Sequence, residues 1–94
     1  MKRNNMSLSD YTAVLTLQEA GSFRAAAENL RMSPSALSRQ ISALEDQLGT
    51  RLFDRDTRNV KLTASGAVLA RIAARMVNTA QDAYAEFDAH LSAR

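Results

Sequence analysis

The 94-residue sequence contains no cysteine, no tryptophan, one proline and three glycines. Without cysteine there is no disulfide framework and no cysteine-based zinc finger. A reducing compartment is permitted, though not required, by that absence. The aromatics are few, Tyr11, Phe23, Phe53, Tyr84 and Phe87. A core must therefore be built mostly of Leu, Ile, Val and Ala, which favours helices crossing closely over a β-sandwich. No apolar run is long enough to span a bilayer. The opening Met1–Met6 stretch is basic, but a polar, Ser-rich run follows where a secretory signal needs an apolar one. These features predict a soluble, cytoplasmic chain with room for one domain and little else.

A strong charge of one sign is also missing: 12 Lys and Arg oppose 10 Asp and Glu, a net +2. That total does not declare a nucleic-acid partner, but its distribution is informative. Residues 1–30 and 63–94 each balance. The excess lies in the middle, where Arg31, Arg39, Arg51, Arg55, Arg58 and Lys61 face Glu45, Asp46, Asp54 and Asp56. There, basic side chains can meet phosphates.

Hydrophobic spacing predicts a first helix from about residue 8 to 20, built on Leu8, Tyr11, Val14, Leu15 and Leu17 and stopped at Gly21. Ser22 reads as the N-cap of a short second helix through Phe23, Ala26, Ala27 and Leu30. After a tight turn at Arg31-Met32, Ser33-Pro34 is a strong start signal for a third helix, 34–48, which ends at Gly49. In that helix Leu37, Ile41, Leu44 and Leu48 form one apolar stripe. Ser35, Ser38, Arg39 and Ser42 fall opposite, a face of small hydroxyls and one charge where a merely solvated helix favours Glu and Lys. Residues 51–55 and 60–62 read as two short strands around a turn at 56–59. Thr63 caps a final helix from about 64 to 90. Its apolar side carries Leu69, Ile72, Met76, Ala80, Ala83, Phe87 and Leu91, too long a stripe for three short helices to cover. A partner is favoured over folding back within the chain.

The fold class that follows is mainly α. It is a winged helix-turn-helix, three helices plus a small β-hairpin wing, continued by a long dimerising linker helix. Residues 1–63 form the helix-turn-helix domain and 64–94 the linker helix. In this architecture the second helix of the pair enters the DNA major groove by its N-terminal end. Ser33, Ser35 and the free amides of that end suit a phosphate. Arg39 is long enough for a guanine edge, and Ser38 can serve base or backbone. The hairpin, with Arg55, Arg58 and Lys61, would straddle phosphates, with Arg58 at its tip near the minor groove.

Several residues carry plainer alternatives. Ser33 can be only a cap, Arg39 and Ser42 only solvated, and Arg55 can pair with Asp54 or Asp56. His90, the single histidine, has no nucleophile with it. Glu45 and Asp46 point about 100° apart and make no catalytic carboxylate pair. With no glycine-rich phosphate loop and no metal-ligand cluster, no enzyme activity, cofactor or metal is expected.

Ala25-Ala26-Ala27-Glu28-Asn29-Leu30 followed by Ser33-Pro34-Ser35-Ala36-Leu37-Ser38-Arg39-Gln40-Ile41 resembles the LysR-type transcriptional regulators. So do Leu44-Glu45-Asp46-Gln47-Leu48-Gly49, Leu52-Phe53-Asp54-Arg55 and Leu62-Thr63-Ala64-Ser65-Gly66. The resemblance runs from about Leu8 to the end of the chain. It implies a DNA-binding module whose linker helix pairs antiparallel with its copy, through Leu69, Ile72, Met76, Ala80, Ala83 and Phe87. It further implies DNA contacts from Ser33, Ser35, Ser38 and Arg39 on the recognition helix and Arg58 on the wing, to which the reading of the residues adds Arg31, Ser42 and Arg55. Pro34 stands where many members carry a base-reading Gln, and Asp54 and Asp56 make the wing less basic. Family members also carry a C-terminal domain that senses a small molecule. It has no counterpart in these residues, so the chain is expected to be a fragment or an engineered piece, and a tetramer of the longer protein stays open. The partner is then double-stranded DNA bearing an interrupted palindrome. The alternative is a protein-interaction module on the same scaffold, since fold alone does not decide function. A non-specific DNA coater would need far more basic charge than +2.

Overall fold

Every helix begins at a hydroxyl side chain that takes up an otherwise orphaned amide. The computed structural model describes residues 6–56 and 59–93. Its elements are α1 (Leu8–Ala20), α2 (Phe23–Leu30), α3 (Pro34–Leu48), β1 (Phe53–Arg55), β2 (Val60–Leu62) and α4 (Ala64–Ser92). The Ser7 hydroxyl accepts from the Asp10 amide at 3.2 Å while the Asp10 carboxylate accepts from the Ser7 amide at 3.0 Å, a reciprocal capping box. The Ser22, Ser33 and Thr63 hydroxyls accept from the Ala25, Ala36 and Gly66 amides to cap α2, α3 and α4, without a reciprocal bond. Pro34 fills the first turn of α3, where its missing N–H is no loss.

The helix ends are equally local. Gly21 and Gly49 close α1 and α3 at φ 76° and 72°. Between α2 and α3 the same left-handed turn falls on Arg31, at φ 58°. A side chain there costs about 1 kcal/mol or more of backbone strain. Two backbone hydrogen bonds hold it, from the Arg31 amide to the Glu28 carbonyl and from the Met32 amide to the Ala27 carbonyl.

α1 is the hub, in contact with α2, α3, α4 and β2. It buries Tyr11, Ala13, Val14 and Leu17. Ala26 and Ala27 let α2 cross closely, and Leu37, Ile41 and Leu44 key α3 into the same core with Leu52 and Phe53. β1 and β2 pair antiparallel, Phe53 opposite Leu62 and Asp54 opposite Lys61, so the apolar pair turns inward and the charged pair outward. The hairpin is tied down at both ends: near its turn the Val60 amide donates to the Gly21 carbonyl at 3.0 Å, and at its base the Thr63 amide donates to the Leu52 carbonyl at 3.0 Å.

The first strand begins at Phe53, not at 51, because the Leu52 and Phe53 amides both donate to the Glu45 carboxylate. The last helix runs to Ser92, two residues beyond the expected 90. Its 29 residues span about 43 Å. Its buried residues are Gly66, Ala70 and Ala73, small residues at helical spacing that the apolar stripe did not include, and Gly66 lies against Leu52 and Leu62. Leu69, assigned from sequence to a partner, also packs partly on the monomer's own core. From residue 81 onward every described side chain is exposed, with Tyr84 at 74% and Phe87 at 61%. Among the described residues, no helix is long and apolar enough to cross a membrane.

Candidate nucleic-acid interface

α3 divides cleanly into two faces. Leu37 and Ile41 are fully buried, whereas Ser35 and Arg39 are exposed and Ser38 and Ser42 half-buried on the other side. The Ser33 hydroxyl accepts from the Ala36 amide at 3.1 Å and lies 3.3 Å from the Ser35 hydroxyl. Its capping role is therefore realised, and its oxygen remains exposed at the helix N-terminus, where the dipole favours an anion. Gln40 is drawn the other way: its amide donates to Ser9 and, at 3.0 Å, to Asp10 on α1. Arg31 is exposed at the turn that opens α3.

The wing is fastened to α3 by a carboxylate. Glu45 is only 5% exposed. One of its oxygens accepts from the Leu52 amide at 2.8 Å and the Phe53 amide at 3.3 Å. The other accepts from Arg55 at 2.8 Å and lies 3.5 Å from Arg51. The Arg55 guanidinium also sits 5.3 Å from the centre of the Phe23 ring, close enough for a cation–π contact. Arg55 thus joins the wing to α3 and to the start of α2. It pairs with Glu45, a partner that the sequence reading had not named beside Asp54 and Asp56. Arg51 keeps most of its side chain in solvent, so its pair with Glu45 is weak and its charge stays available. Ser42, Glu45, Asp46, Thr50, Arg51 and Arg55 together line an open cleft between α3 and the wing.

Arg31, Ser33, Ser35, Ser38, Arg39 and Ser42 therefore gather on and around one helix, and Arg55 stands at the turn end of β1 with its charge already engaged. Arg58 lies outside the described residues. Glu45 is the functional residue that sequence reasoning passed over, having weighed it only as a catalytic carboxylate. A signal was present: it follows Leu37 and Ile41 at intervals of four, so an acid continues an apolar ridge, and an acid in that place needs partners. Among the described residues, no cluster of three or more His, Asp and Glu could hold a metal ion.

The model of the bacterial regulatory helix-turn-helix proteins of the lysR family matches residues 8–67. An uncharacterized HTH-type transcriptional regulator from the ibpB–leuC intergenic region of Azotobacter vinelandii is 42% identical over 77 residues, 82% of this chain and 54% of that protein. Among solved structures, BenM_DBD in its complex with catB site 1 DNA superposes with a TM-score of 0.88 at 30% identity, covering 93% of this chain and 97% of that one. Full-length LysG from Corynebacterium glutamicum, with bound effector Arg, superposes at 0.85 and 32% identity, covering 95% of this chain and 30% of that one. The chain thus spans about half of the curated relative and under a third of the full-length structure. With the matched region running from the first residue of α1 into the first turn of α4, the chain belongs to the lysR family of bacterial regulatory helix-turn-helix proteins.

Proposed function

We propose that this chain is a dimeric, sequence-specific reader of double-stranded DNA in the cytoplasm, and not an enzyme. The observation that supports this best is the face of α3. Ser35, Ser38, Arg39 and Ser42 stand opposite fully buried anchors, beside a wing clamped by Glu45 and Arg55. Short hydroxyls let a groove edge approach, and one arginine at reach supplies base readout. An interaction module would instead carry apolar or acidic groups there. Residues 1–63 do the reading and residues 64–94 pair two copies antiparallel. Response to a small molecule belongs to a separate effector domain. The BenM_DBD likeness, whose structure holds DNA, supports the first part, and the LysG likeness, whose structure holds an effector, supports the last.

α3 enters one major groove per protomer, and the wing, through Arg58, lies near the minor groove. Half-sites are separated by whole helical turns, about 34 Å or a multiple. In vitro selection of random duplexes at physiological salt tests this. The expected result is a two-fold, interrupted motif; absence of any DNA binding would instead favour the protein-interaction module. Arg39→Ala should cost about 1–3 kcal/mol on the selected site and leave non-specific binding nearly unchanged. Equal loss on every sequence would reassign Arg39 to phosphate. Arg58→Ala should weaken binding uniformly and flatten the salt dependence, and an unaltered salt slope would remove the wing contact.

A further inference from the structure

We infer that a row of charges on the free flank of α4 selects its partner. The row accepts a second copy of this chain lying antiparallel in one register and disfavours parallel or differently charged helices. This rests on the reading of α4 as the pairing helix and specifies what that helix will pair with.

Arg71, Arg75, Asp82 and Glu86 are all exposed. At about 100° per residue they fall in one row along α4, beside the stripe of Ile72, Met76 and Ala83. The buried residues Gly66, Ala70 and Ala73 lie on the far side of that stripe. Both cations are at the domain end and both acids at the outer end. Asp88 lies on a different side of the helix. Among the described residues these four make no ion pair. Instead each sits four positions from its like, Arg71 from Arg75 and Asp82 from Glu86, a spacing that destabilises an isolated helix. The arrangement is unfavourable in the lone monomer and needs opposite charge from outside.

A second copy laid antiparallel supplies it. Arg75 then faces the second copy's Asp82, and Arg71 faces its Glu86. The two pairs are nested about one midpoint, between Asn78 and Thr79, so a single two-fold axis satisfies both. That register brings Ile72 toward the second copy's Phe87 and Met76 toward its Ala83, within one residue of the same midpoint. The apolar stripe and the charged row therefore agree. Parallel pairing puts the two rows on opposite sides of the dimer, where both ion pairs are lost, and an antiparallel slip centred on residue 73 sets arginine against arginine. Exposed ion pairs add little affinity singly, so the discrimination comes as much from the repulsion in wrong pairings as from attraction in the right one.

The test uses the 94-residue chain and two charge-reversed variants, Arg71→Glu with Arg75→Glu, and Asp82→Lys with Glu86→Lys. Each keeps the like-charge spacing within its own helix, so intrinsic helicity, checked by circular dichroism, stays comparable. By sedimentation at about 0.1 M salt, where the screening length is about 10 Å, each variant alone should dimerise at least about tenfold more weakly than the parent. An equimolar mixture should recover a one-to-one heterodimer, and added salt should narrow the differences. A parent chain that stays monomeric would overturn the pairing-helix reading itself. If the parent dimerises and the variants self-associate equally well, or if the mixture shows no recovery, the charge selection is wrong and the pairing helix stands.

Discussion

Replacing Glu45 with alanine removes the carboxylate that ties α3 to the wing by hydrogen bonds and an ion pair. In the native chain its carboxylate satisfies the Leu52 and Phe53 amides and the Arg55 guanidinium at 2.8 Å, all around a site that is 5% exposed. Alanine leaves two amides without an acceptor, each worth about 1–3 kcal/mol where water cannot reach it. It also strips Arg55 of its counter-charge, but that side chain is 26% exposed, so water offsets much of this loss. These figures overlap because the groups share one carboxylate. Arg51 adds little, since its side chain is 66% exposed. The expected loss is about 3–5 kcal/mol, against a total of about 5–14 kcal/mol for a domain this size. In thermal terms this is a fall of roughly 15–30 °C. Guanidinium unfolding followed by circular dichroism measures it, with protein concentration fixed because dimerisation would shift the midpoint. Glu45→Gln separates the contributions: its carbonyl still accepts from the amides while its NH2 faces Arg55. Glutamine should therefore cost clearly less than alanine. A loss below about 1 kcal/mol for Glu45→Ala would refute the clamp, and equal losses for both variants would show that Arg55, not the amides, carries it.

Gly66→Ala should destabilise by about 1–3 kcal/mol despite the better helix propensity of alanine, because the added Cβ runs into the Leu52 carbonyl; an unchanged or raised melting temperature would contradict that packing. Met76→Asp, on the half-exposed stripe of α4, should give a folded monomer by light scattering, and a monodisperse dimer would move the pairing surface elsewhere.

The helix boundaries were readable because they are set within a few residues. Ser22, Ser33 and Thr63 bond amides three positions on, and Gly21 and Gly49 take left-handed backbone that other residues resist. The α3 faces were readable for the same reason: a helix's period fixes which side Leu37 and Arg39 present. What escaped was set across the chain. The strand start at Phe53 depends on a carboxylate from α3, and that dependence is invisible in a local alternation of residues. On α4 the large apolar residues pointed to a partner, and the face buried within the chain, made of Gly66, Ala70 and Ala73, went unnoticed. Close helix contact there selects small residues, and hydrophobic spacing weighs size in the opposite sense. Arg31 as the residue of the left-handed turn had no signal in its type, since glycine or asparagine is the usual occupant.

The seating of α4 on α1 has a mechanical consequence. Because α1 also holds α2 and α3, the first half of α4 is seated on the same helix that carries the reading head. The molecule is 53 Å along its longest axis. A body turning about a pivot roughly 25 Å away needs only about 8° to carry its far end some 3.4 Å, the rise of one base pair. If two copies cross along α4, the crossing angle is then the gauge that sets how far apart the two α3 helices reach. A slight scissoring of the pair shifts them from one spacing to the next without altering a single contact inside either head.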